Sequence, residues 1–570
     1  MNSINPKNLV LAVLLLCLAT TSASYAELRN NMSADVVVGQ ADFVSGTANV
    51  GGVGANTFSG PQGAFSDGKH LFIADAVNHR VLIYNSISTS NNASADVVVG
   101  QADFTSTTAN QGGIGPNTLS APTSAFSDGK RLFITEGGNH RVLIYNSIPT
   151  SNNASADVVI GQPDFTSSSI NQAGGVSSPR ANTLYYPYSV YSDGKRLFIT
   201  DFLNHRVLIY NSIPTSNNAS ADVVVGQADF TSNTANQGSI GPNTLNSPTS
   251  VSSDGKCLFI ADGSNNRVLI YNSIPTSNNA SADIVIGQTN FTSNSRNQGG
   301  VAVAGANTLS GPQSVSSDGK RLFISDFLNS RVLIYNSIPT SINASADVVV
   351  GQANFTSPLA NQTGNEIPAG ANTLYAPAGA FSDGKRLFIT DAYNNRVLIY
   401  NSIPTSNNAS ADVVIGQVNF TANLANQTGS TTVARANTLY APIGAFSDGK
   451  CLFIVDTGNS RVFIYNSIPT SNNASADVVI GQPDFTSNSV NQTGSVTLAG
   501  ANTLYYPYNI FSDGKRLFIS DFLNSRVLIY NIADDSAMKL GPQFEQGKAV
   551  LGKVFNDINS NGYQDEAEQG

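Results

Sequence analysis

Residues 192–227, SDGKRLFITDFLNHRVLIYNSIPTSNNASADVVVGQ, define a unit that the chain repeats eight times with few changes. The Ser-Asp-Gly-Lys step of this unit returns every 61 to 65 residues, at Asp67, Asp128, Asp193, Asp254, Asp318, Asp383, Asp448 and Asp513. A fixed period of this length is typical of stacked structural modules. The repeat therefore predicts the architecture before any local pattern is considered.

Each unit contains four short runs rich in β-branched and aromatic residues, bounded by turn residues, which predict four strands. In the unit above they are residues 187–192, 196–201, 206–211 and 221–226. Asp193-Gly194 predicts a two-residue hairpin turn with positive φ at the glycine. Residues 207–210 are apolar at every position, which indicates a strand buried on both faces. Eight such units predict an all-β fold, an eight-bladed β-propeller of four-stranded blades.

We label the strands of a unit a, b, c and d in chain order. Because they run antiparallel, the b–c and d–a connections share one face of the ring and the a–b and c–d connections share the other. The units differ most in the d–a loops, for example at 171–180, 297–307 and 361–372, which are rich in Asn, Gln, Thr, Ser and Gly. Such loops on a rigid scaffold suit binding to a carbohydrate or a protein. Solvated loop padding is the alternative.

The pattern of a proline, a strand ending in Asp-Gly, then LFI-[TAS]-D-x-x-N-x-R-V-x-I-Y resembles the NHL repeat, over about residues 34 to 531. The matching residues are Asp75, Asn78, His79 and Arg80; Asp201, Asn204, His205 and Arg206; Asp262, Asn265 and Arg267; Asp326, Asn329 and Arg331; Asp391, Asn394 and Arg396; Asp456, Asn459 and Arg461; and Asp521, Asn524 and Arg526. The second unit departs, with Glu136 in place of Asp. This resemblance also implies a propeller.

The two ends of the repeat region complement each other. Residues 34–39 read as a d strand with no a, b or c before it, and the last unit, at 507–531, lacks a d strand. We predict that residues 34–43 pair with 526–531 and close the ring, since closure removes edges that would otherwise template aggregation.

Residues 1–26 predict a signal peptide, with Lys7, an apolar core at 9–19 and a small-residue cleavage site at 24–26. An uncleaved anchor is the alternative; a lipoprotein site at Cys17 is disfavoured by Leu16. The mature chain is then secreted or on the cell surface, without a membrane span. Cys257 and Cys451 occupy one position three units apart, so no disulfide between them is expected.

The formal net charge of −9 and the scarcity of Lys and Arg outside the repeated positions argue against nucleic acid as a partner. The near-identity of the units argues against an active site, because no unit holds a distinct nucleophile–base or paired-carboxylate arrangement. Asn-Ala-Ser triplets at Asn92, Asn153, Asn218, Asn279, Asn343, Asn408 and Asn473 match the N-glycosylation acceptor, but they recur because the unit recurs.

After a linker at 532–546, residues 547–570 change in character. Oxygen donors follow the spacing of a 12-residue calcium loop with Gly562 at its sixth position. The donors are Asp557, Asn559, Asn561, Tyr563 through its carbonyl, Asp565 and Glu568. This segment is similar to the start of an SdrD B-like module of bacterial surface proteins, which implies calcium as a ligand and a bacterial surface. An acidic tail with accidental spacing is the alternative.

Three of the four histidines, His79, His140 and His205, occupy one position on the b–c loop of consecutive units. Three imidazoles are a sufficient protein set for catalytic zinc. Some NHL-type propellers resemble α-amidating lyases, which hold zinc with histidines at the central channel. The competing interpretation is a structural position, because the other five units carry Asn or Ser there. For Asp201, Asn204 and Arg206 we predict that they satisfy backbone groups of the b–c loop.

The sequence thus favours a monomeric propeller that acts as an extracellular interaction or adhesion scaffold, binding a protein or a carbohydrate through the d–a and b–c face. The alternative is a propeller enzyme, a lyase or a lactonase-like hydrolase, with a metal site at the central channel. Non-repeated His, Asp or Glu lining the channel would favour the enzyme. One small residue repeated eight times there would favour the scaffold.

Overall fold

The computed structural model describes residues 28–532, except 173–174, 177, 301–302, 366, 448 and 514, and two short strands beyond them. The predicted signal peptide and the calcium-loop residues 557–568 lie outside this part of the chain. The two further strands, Gln543–Glu545 and Lys548–Val550, form an antiparallel pair. The first of them falls within the segment predicted to be a linker.

The strands form eight four-stranded antiparallel sheets in a ring, so the predicted eight-bladed propeller is confirmed. We number the blades from 1 to 8 in chain order. The bounds are β1 Val36–Val38; in blade 1, β2 Pro61–Ser66, β3 Leu71–Asp75, β4 Arg80–Tyr84 and β5 Val97–Val99; in blade 2, β6 Pro122–Ser127, β7 Leu132–Glu136, β8 Arg141–Tyr145 and β9 Val158–Ile160; in blade 3, β10 Pro187–Ser192, β11 Leu197–Asp201, β12 Arg206–Tyr210 and β13 Val223–Val225; in blade 4, β14 Ser250–Ser253, β15 Leu258–Asp262, β16 Arg267–Tyr271 and β17 Ile284–Ile286.

In the second half of the ring the bounds are, in blade 5, β18 Pro312–Ser317, β19 Leu322–Asp326, β20 Arg331–Tyr335 and β21 Val348–Val350; in blade 6, β22 Gly379–Ser382, β23 Leu387–Asp391, β24 Arg396–Tyr400 and β25 Val413–Ile415; in blade 7, β26 Gly444–Ser447, β27 Leu452–Asp456, β28 Arg461–Tyr465 and β29 Val478–Ile480; and in blade 8, β30 Pro507–Ser512, β31 Arg516–Asp521 and β32 Arg526–Asn531, with β1 as fourth strand.

Short 3₁₀ turns are the helical elements of the described chain. Those between strands b and c are Ala76–Asn78, Phe202–Asn204, Gly263–Asn265, Phe327–Asn329, Ala392–Asn394, Thr457–Asn459 and Phe522–Asn524. Those in the d–a loops are Ile170–Gln172, Ala235–Gly238, Arg296–Gln298, Ala360–Gln362, Ala425–Gln427 and Val490–Gln492. No described helix is long and apolar enough to cross a membrane.

Strand β1 closes the ring, as predicted. It pairs antiparallel with β32, with Val37 opposite Leu528, and supplies the missing d strand of blade 8. The closing contacts extend beyond the strand. The backbone N–H of Val479 in blade 7 donates to Oδ1 of Asn30 (3.0 Å), and the N–H of Asn31 donates to the carbonyl of Val479 (2.9 Å). We call this pair of bonds, from two adjacent Asn residues to one d strand, the Asn-Asn clasp. Every blade is therefore four-stranded.

The same pair of bonds, made by two adjacent Asn residues, links the other neighbouring blades except blades 4 and 5, where Ile342 replaces the first Asn. At the junction of blades 2 and 3 the N–H of Val159 donates to Oδ1 of Asn217 (3.1 Å), and the N–H of Asn218 donates to the carbonyl of Val159 (2.8 Å). Val159 lies in the d strand of blade 2, so the c–d loop of one blade covers the outer edge of the blade before it. Covered edges protect a β-protein from edge-to-edge association.

Apolar side chains pack between blades, and each of the eight buried clusters joins two neighbouring blades. Strands b and c are buried along their length, apart from Arg516 and Asn531 at the ends of the two strands in blade 8. In β12, for example, Val207, Leu208 and Ile209 are completely inaccessible. The predicted burial of 207–210 on both faces is confirmed. Cys257 and Cys451 are buried and are not joined by a disulfide.

The a–b turn is longer than predicted. Strand β11 begins at Leu197, so four residues, 193–196, connect it to β10. Gly194 has φ 82°, as expected, and Oδ1 of Asp193 accepts hydrogen bonds from the N–H groups of Lys195 (3.0 Å) and Arg196 (2.6 Å). These side-chain bonds stabilise the longer turn, which a two-residue hairpin pattern does not describe.

Candidate binding face

We call the surface made by the d–a loops and the b–c turns the loop face. Hydrogen bonds join the two kinds of segment directly: Nδ2 of Asn171, in the d–a loop, donates to Oδ1 of Asn204, in the b–c turn (2.9 Å). Nδ2 of Asn204 returns a bond to Oδ1 of Asn171 (2.7 Å). The loop face is therefore held by side-chain contacts between loops as well as by the strands beneath it.

A buried network of Asp201, Asn204 and Arg206 fixes the loop face in blade 3. Oδ2 of Asp201 accepts from Nε of Arg206 (2.7 Å) and Nδ2 of Asn204 (2.8 Å), and its Oδ1 accepts from the N–H of Tyr185 (2.7 Å). None of the three side chains is exposed. Because all three partners of the carboxylate are N–H donors, the ionised form is satisfied in full.

Arg206 connects two successive d–a loops. Its Nη1 donates to the carbonyl of Phe230 (2.9 Å), in the loop that leaves blade 3. Its Nη2 donates to the carbonyls of Thr183 (2.6 Å) and Arg180 (3.0 Å), in the loop that enters it. The prediction that these residues satisfy backbone groups of the b–c loop is wrong in its location, because the network holds backbone groups of the d–a loops. The planar guanidinium can do this since it carries five donors in a rigid fork.

The network recurs in every blade. The carboxylate–guanidinium pairs are Asp75–Arg80, Glu136–Arg141, Asp201–Arg206, Asp262–Arg267, Asp326–Arg331, Asp391–Arg396, Asp456–Arg461 and Asp521–Arg526. Glu136 fills the Asp position with the same partners, accepting from Nε of Arg141 at 2.6 Å and from the N–H of Ser120 at 2.5 Å. Burial raises the pKa of the Asp201 carboxyl, and the neighbouring Arg206 opposes that shift. Saturated, inaccessible pairs of this kind hold structure and cannot reach a substrate.

The glutamine that follows each d strand has a structural role that was not predicted from the sequence. Nε2 of Gln227 donates to the carbonyls of His205 (3.1 Å) and Thr234 (3.2 Å), joining the b–c turn to the next d–a loop. The side chain is fully buried. The glutamine recurs after the glycine that follows every d strand, and this recurrence could have indicated its structural role.

The three histidines lie at junctions between blades, and each accepts a hydrogen bond from a backbone N–H that opens the next blade. Nδ1 of His79 accepts from Ala121 (2.9 Å), Nδ1 of His140 from Tyr186 (3.2 Å) and Nδ1 of His205 from Ser247 (3.0 Å). In blades 4 and 6 the same bond is accepted by Oδ1 of Asn266 and Oδ1 of Asn395, both at 2.8 Å. This shared acceptor role explains why His and Asn interchange at this position.

The structure does not gather these histidines into a metal site. Within the described residues, no three His, Cys, Asp or Glu side chains form a group that could hold a metal ion. With Nδ1 accepting a backbone N–H, the proton of the neutral ring is on Nε2, which leaves neither nitrogen with an unused lone pair. Burial lowers the pKa of His205 and so favours this neutral form.

The inner wall of the ring is formed by the a strands, since β2 contacts the a strands of both neighbouring blades, β6 and β30. None of the eight described a strands contains Asp, Glu, His, Lys, Arg or Cys. The wall is not one residue repeated either, because Ser252 and Ser316 stand where Phe126, Phe381 and Phe446 lie in other blades. The described wall therefore matches neither the lining by His, Asp or Glu expected of an enzyme nor the lining by one repeated small residue expected of a scaffold.

Exposed apolar side chains are concentrated on the loop face. Among the described residues, the exposed large hydrophobic side chains in d–a loops or b–c turns are Val44, Val77, Val176, Tyr186, Val303, Leu328, Leu359, Ile367, Tyr393, Val418, Leu424, Val433, Val496, Leu498, Tyr506 and Leu523. A single further one, Ile342, lies in a c–d loop. Exposed apolar side chains that are concentrated on one side of a protein are a feature of interaction sites.

The two loops beside the ring closure contact each other on the loop face. The N–H of Ala499 donates to the carbonyl of Val44 (2.7 Å), and Ser45 forms an antiparallel bridge with Leu498. Val44, Val496 and Leu498 are 57%, 55% and 62% exposed, and we call these three residues the apolar ridge. Residues 43–49 and 493–499 carry no charge.

Comparison with known proteins finds only distant structural likenesses. No protein-family model and no curated protein matches the chain, so the resemblance to NHL repeats stays a prediction. The computationally designed Ika8 protein has a TM-score of 0.45 at 4% identity, covering 88% of this chain and all of its own. Virginiamycin B lyase from Staphylococcus aureus has 0.32 at 10%, covering 84% and 98%; Kluyveromyces lactis Hsv2 has 0.35 at 6%, covering 74% and 95%. At these values no activity is inferred from the likeness.

Proposed function

We propose that this protein is an extracellular interaction or adhesion scaffold that binds its partner through the loop face. The observation that carries the proposal is the one-sided distribution of exposed large hydrophobic side chains, of which all but Ile342 lie in d–a loops or b–c turns of the described chain. Exposing such side chains costs solubility, so a surface that concentrates them on one face fits an interface.

The buried networks support this role because they make the loops a fixed surface. Arg206 joins the d–a loop that enters blade 3 to the d–a loop that leaves it. Gln227 joins the b–c turn of blade 3 to the leaving loop. A surface that is ordered before binding loses little conformational entropy when a partner docks. The same networks give the repeated Asp and Arg residues a structural role, so their recurrence does not require an active site.

The enzyme alternative has less support. Its candidate zinc ligands, His79, His140 and His205, each already use Nδ1 as an acceptor at separate blade junctions. Metal analysis of the purified, dialysed mature chain separates the two functions. Zinc at near-stoichiometric level that disappears in the triple variant H79N/H140N/H205N would favour the enzyme, and the absence of a tightly held transition metal would leave the scaffold.

Export and calcium binding belong to the same proposal. The signal-like segment 1–26 supports secretion, and the donor spacing from Asp557 to Glu568 supports a calcium loop with an affinity of about 10⁻⁴–10⁻³ M. Calcium titration followed by NMR tests the loop. We expect chemical-shift changes in residues 557–568 that are absent in the variant D557N/E568Q; no change at about tenfold above 10⁻³ M would contradict it.

The test of the scaffold is surface binding to a panel of extracellular-matrix proteins and glycans. We expect V44S/V496S/L498S, which removes the apolar ridge, to weaken binding. The matched control K69S/K130S/K195S changes three exposed side chains of the a–b turns, on the other face, and should bind as wild type. Binding that depends on the lysines and not on the ridge would overturn the proposal.

A further inference from the structure

Two of the eight units present a tyrosine pair on the loop face. The segments 182–188 and 502–508 share the sequence Asn-Thr-Leu-Tyr-Tyr-Pro-Tyr and enter blades 3 and 8. The pairs are Tyr185–Tyr186 and Tyr505–Tyr506. The shared seven-residue segment gives these two regions of the ring the same local sequence.

The second tyrosine of each pair has an unfavourable backbone conformation. Tyr186 and Tyr506 have φ of 52° and 55°, in the left-handed region that bulky side chains rarely adopt. The equivalent residues of the other units are small: Gly60, Ala121, Ser247, Gly311, Ala376 and Ala441. The backbone there needs no large side chain, and strained residues of this kind gather at functional sites.

Burial does not account for these tyrosines. Tyr186 and Tyr506 are 42% and 46% exposed. The Tyr186 ring leans on the b–c turn of blade 2, where its Cε2 lies 3.3 Å from the place a Cβ of Gly137 would occupy. Beside it, Tyr185 meets the ring of His140 edge-on at 5.5 Å between centroids. The b–c turn of blade 2 thus supports the exposed ring of Tyr186 from one side.

The surroundings of the pairs are polar and nearly uncharged. Each pair follows an Asn-Thr step, and the loops before them are rich in Asn, Gln, Ser and Thr. Asp201 and Asp521, which accept the N–H groups of Tyr185 and Tyr505, are fully buried in ion pairs, and the exposed Arg180 is the charged residue of segment 178–186. A ligand at this surface therefore meets aromatic rings, amides and hydroxyls.

We propose that the two tyrosine pairs are twin subsites for a neutral polysaccharide, an inference that rests on the proposed function and names its ligand. Exposed aromatic rings combine apolar area with a polar edge, which suits the apolar faces and hydroxyl groups of sugar rings. A polymer of repeating units can occupy two subsites of like chemistry at once. Linked occupation raises the overall affinity by about 10²–10⁴-fold over a single site.

The experiment measures binding of the full mature chain to neutral polymers of glucose, mannose, xylose and N-acetylglucosamine, and to their hexasaccharides. We expect Y186A or Y506A to weaken binding to a polymer about tenfold or more, because two-site avidity is lost. The double variant should not bind detectably. A441Y, which completes a Tyr-Tyr-Pro sequence in blade 7, should strengthen binding. Since the ligand is neutral, binding should be the same at about 0.05 M and about 0.5 M NaCl.

Three outcomes overturn the proposal. The first is binding to none of these polymers. The second is polymer binding that survives in Y186A/Y506A. The third is a loss of binding in Y186G/Y506G that comes with a large fall in melting temperature, since glycine relieves the positive φ and should leave stability unchanged or higher. If the chain instead binds a protein through the apolar ridge while these polymers fail, the polysaccharide inference falls and the scaffold stands.

Discussion

Nε of Arg206 lies 2.7 Å from Oδ2 of Asp201, and neither side chain is accessible to solvent. The pair repeats around the ring and joins the d–a loops of successive blades. Since these loops form the face that we propose binds a partner, the repeated ion pair is what holds that face in shape.

Removing the carboxylate of this pair should lower the free energy of unfolding far more than shortening Glu136, the one glutamate found at the Asp position. D201A leaves the Arg206 cation buried without a counter-charge, and we expect it to lower the free energy of unfolding by about 3–5 kcal/mol. E136D, the matched control, restores the residue of the other seven blades and should change stability by less than about 1 kcal/mol. Urea unfolding followed by circular dichroism measures both. Equal effects would show that the network is not what stabilises the loops.

Acid should weaken the junctions between blades 1 and 4 through the three histidines. Burial lowers the pKa of His79, His140 and His205 in the folded chain. The unfolded chain therefore binds more protons below the ordinary histidine pKa of about 6.5, and stability is lost as the pH falls from there through the lowered folded value. H79N/H140N/H205N keeps an acceptor and cannot titrate. Its melting temperature should fall less than that of wild type between about pH 7.5 and about pH 5.

Ring closure should be needed for cooperative folding. Deleting residues 27–45 removes β1 and exposes the β32 edge that Val37 covers. We expect aggregation or a broad, non-cooperative thermal transition. S33A, at an exposed position of the same segment, is the control and should melt as wild type. A deletion variant that melts with the wild-type profile would contradict the closing role.

The junction between blades 4 and 5 should be improvable. Ile342 stands where the other clasps have Asn, so it cannot accept the N–H of Val285; one junction further, Oδ1 of Asn407 accepts the N–H of Val349 (3.0 Å). I342N should raise the free energy of unfolding by about 1 kcal/mol, and N407I should lower it by a similar amount. Chemical denaturation measures both. A neutral I342N with a destabilising N407I would mean that Val285 is already satisfied otherwise.

The sequence alone determined the eight blades, their strand order and the closing strand. These follow from a repeat whose hydrophobic runs can be buried only by stacking, and from two complementary ends. The repeated Asp-Asn-Arg residues could be assigned a structural role, because a group present in every unit serves what every unit shares. The backbone groups that they hold could not be predicted. Arg206 bonds to the carbonyl of Phe230 in a d–a loop, and no local sequence pattern determines the path of that loop.

Only the tertiary structure decided how the histidines and the exposed residues are used. In the sequence, His79, His140 and His205 fit a zinc site as well as a structural position, of which the structural position is favoured. The bonds from Ala121, Tyr186 and Ser247 occupy Nδ1 at three separate junctions. Tyr186 likewise reads as one more strand-flanking aromatic until its φ of 52° and its exposure are known. Residue type and spacing set the secondary structure here, whereas orientation and accessibility depend on contacts between segments far apart in the chain.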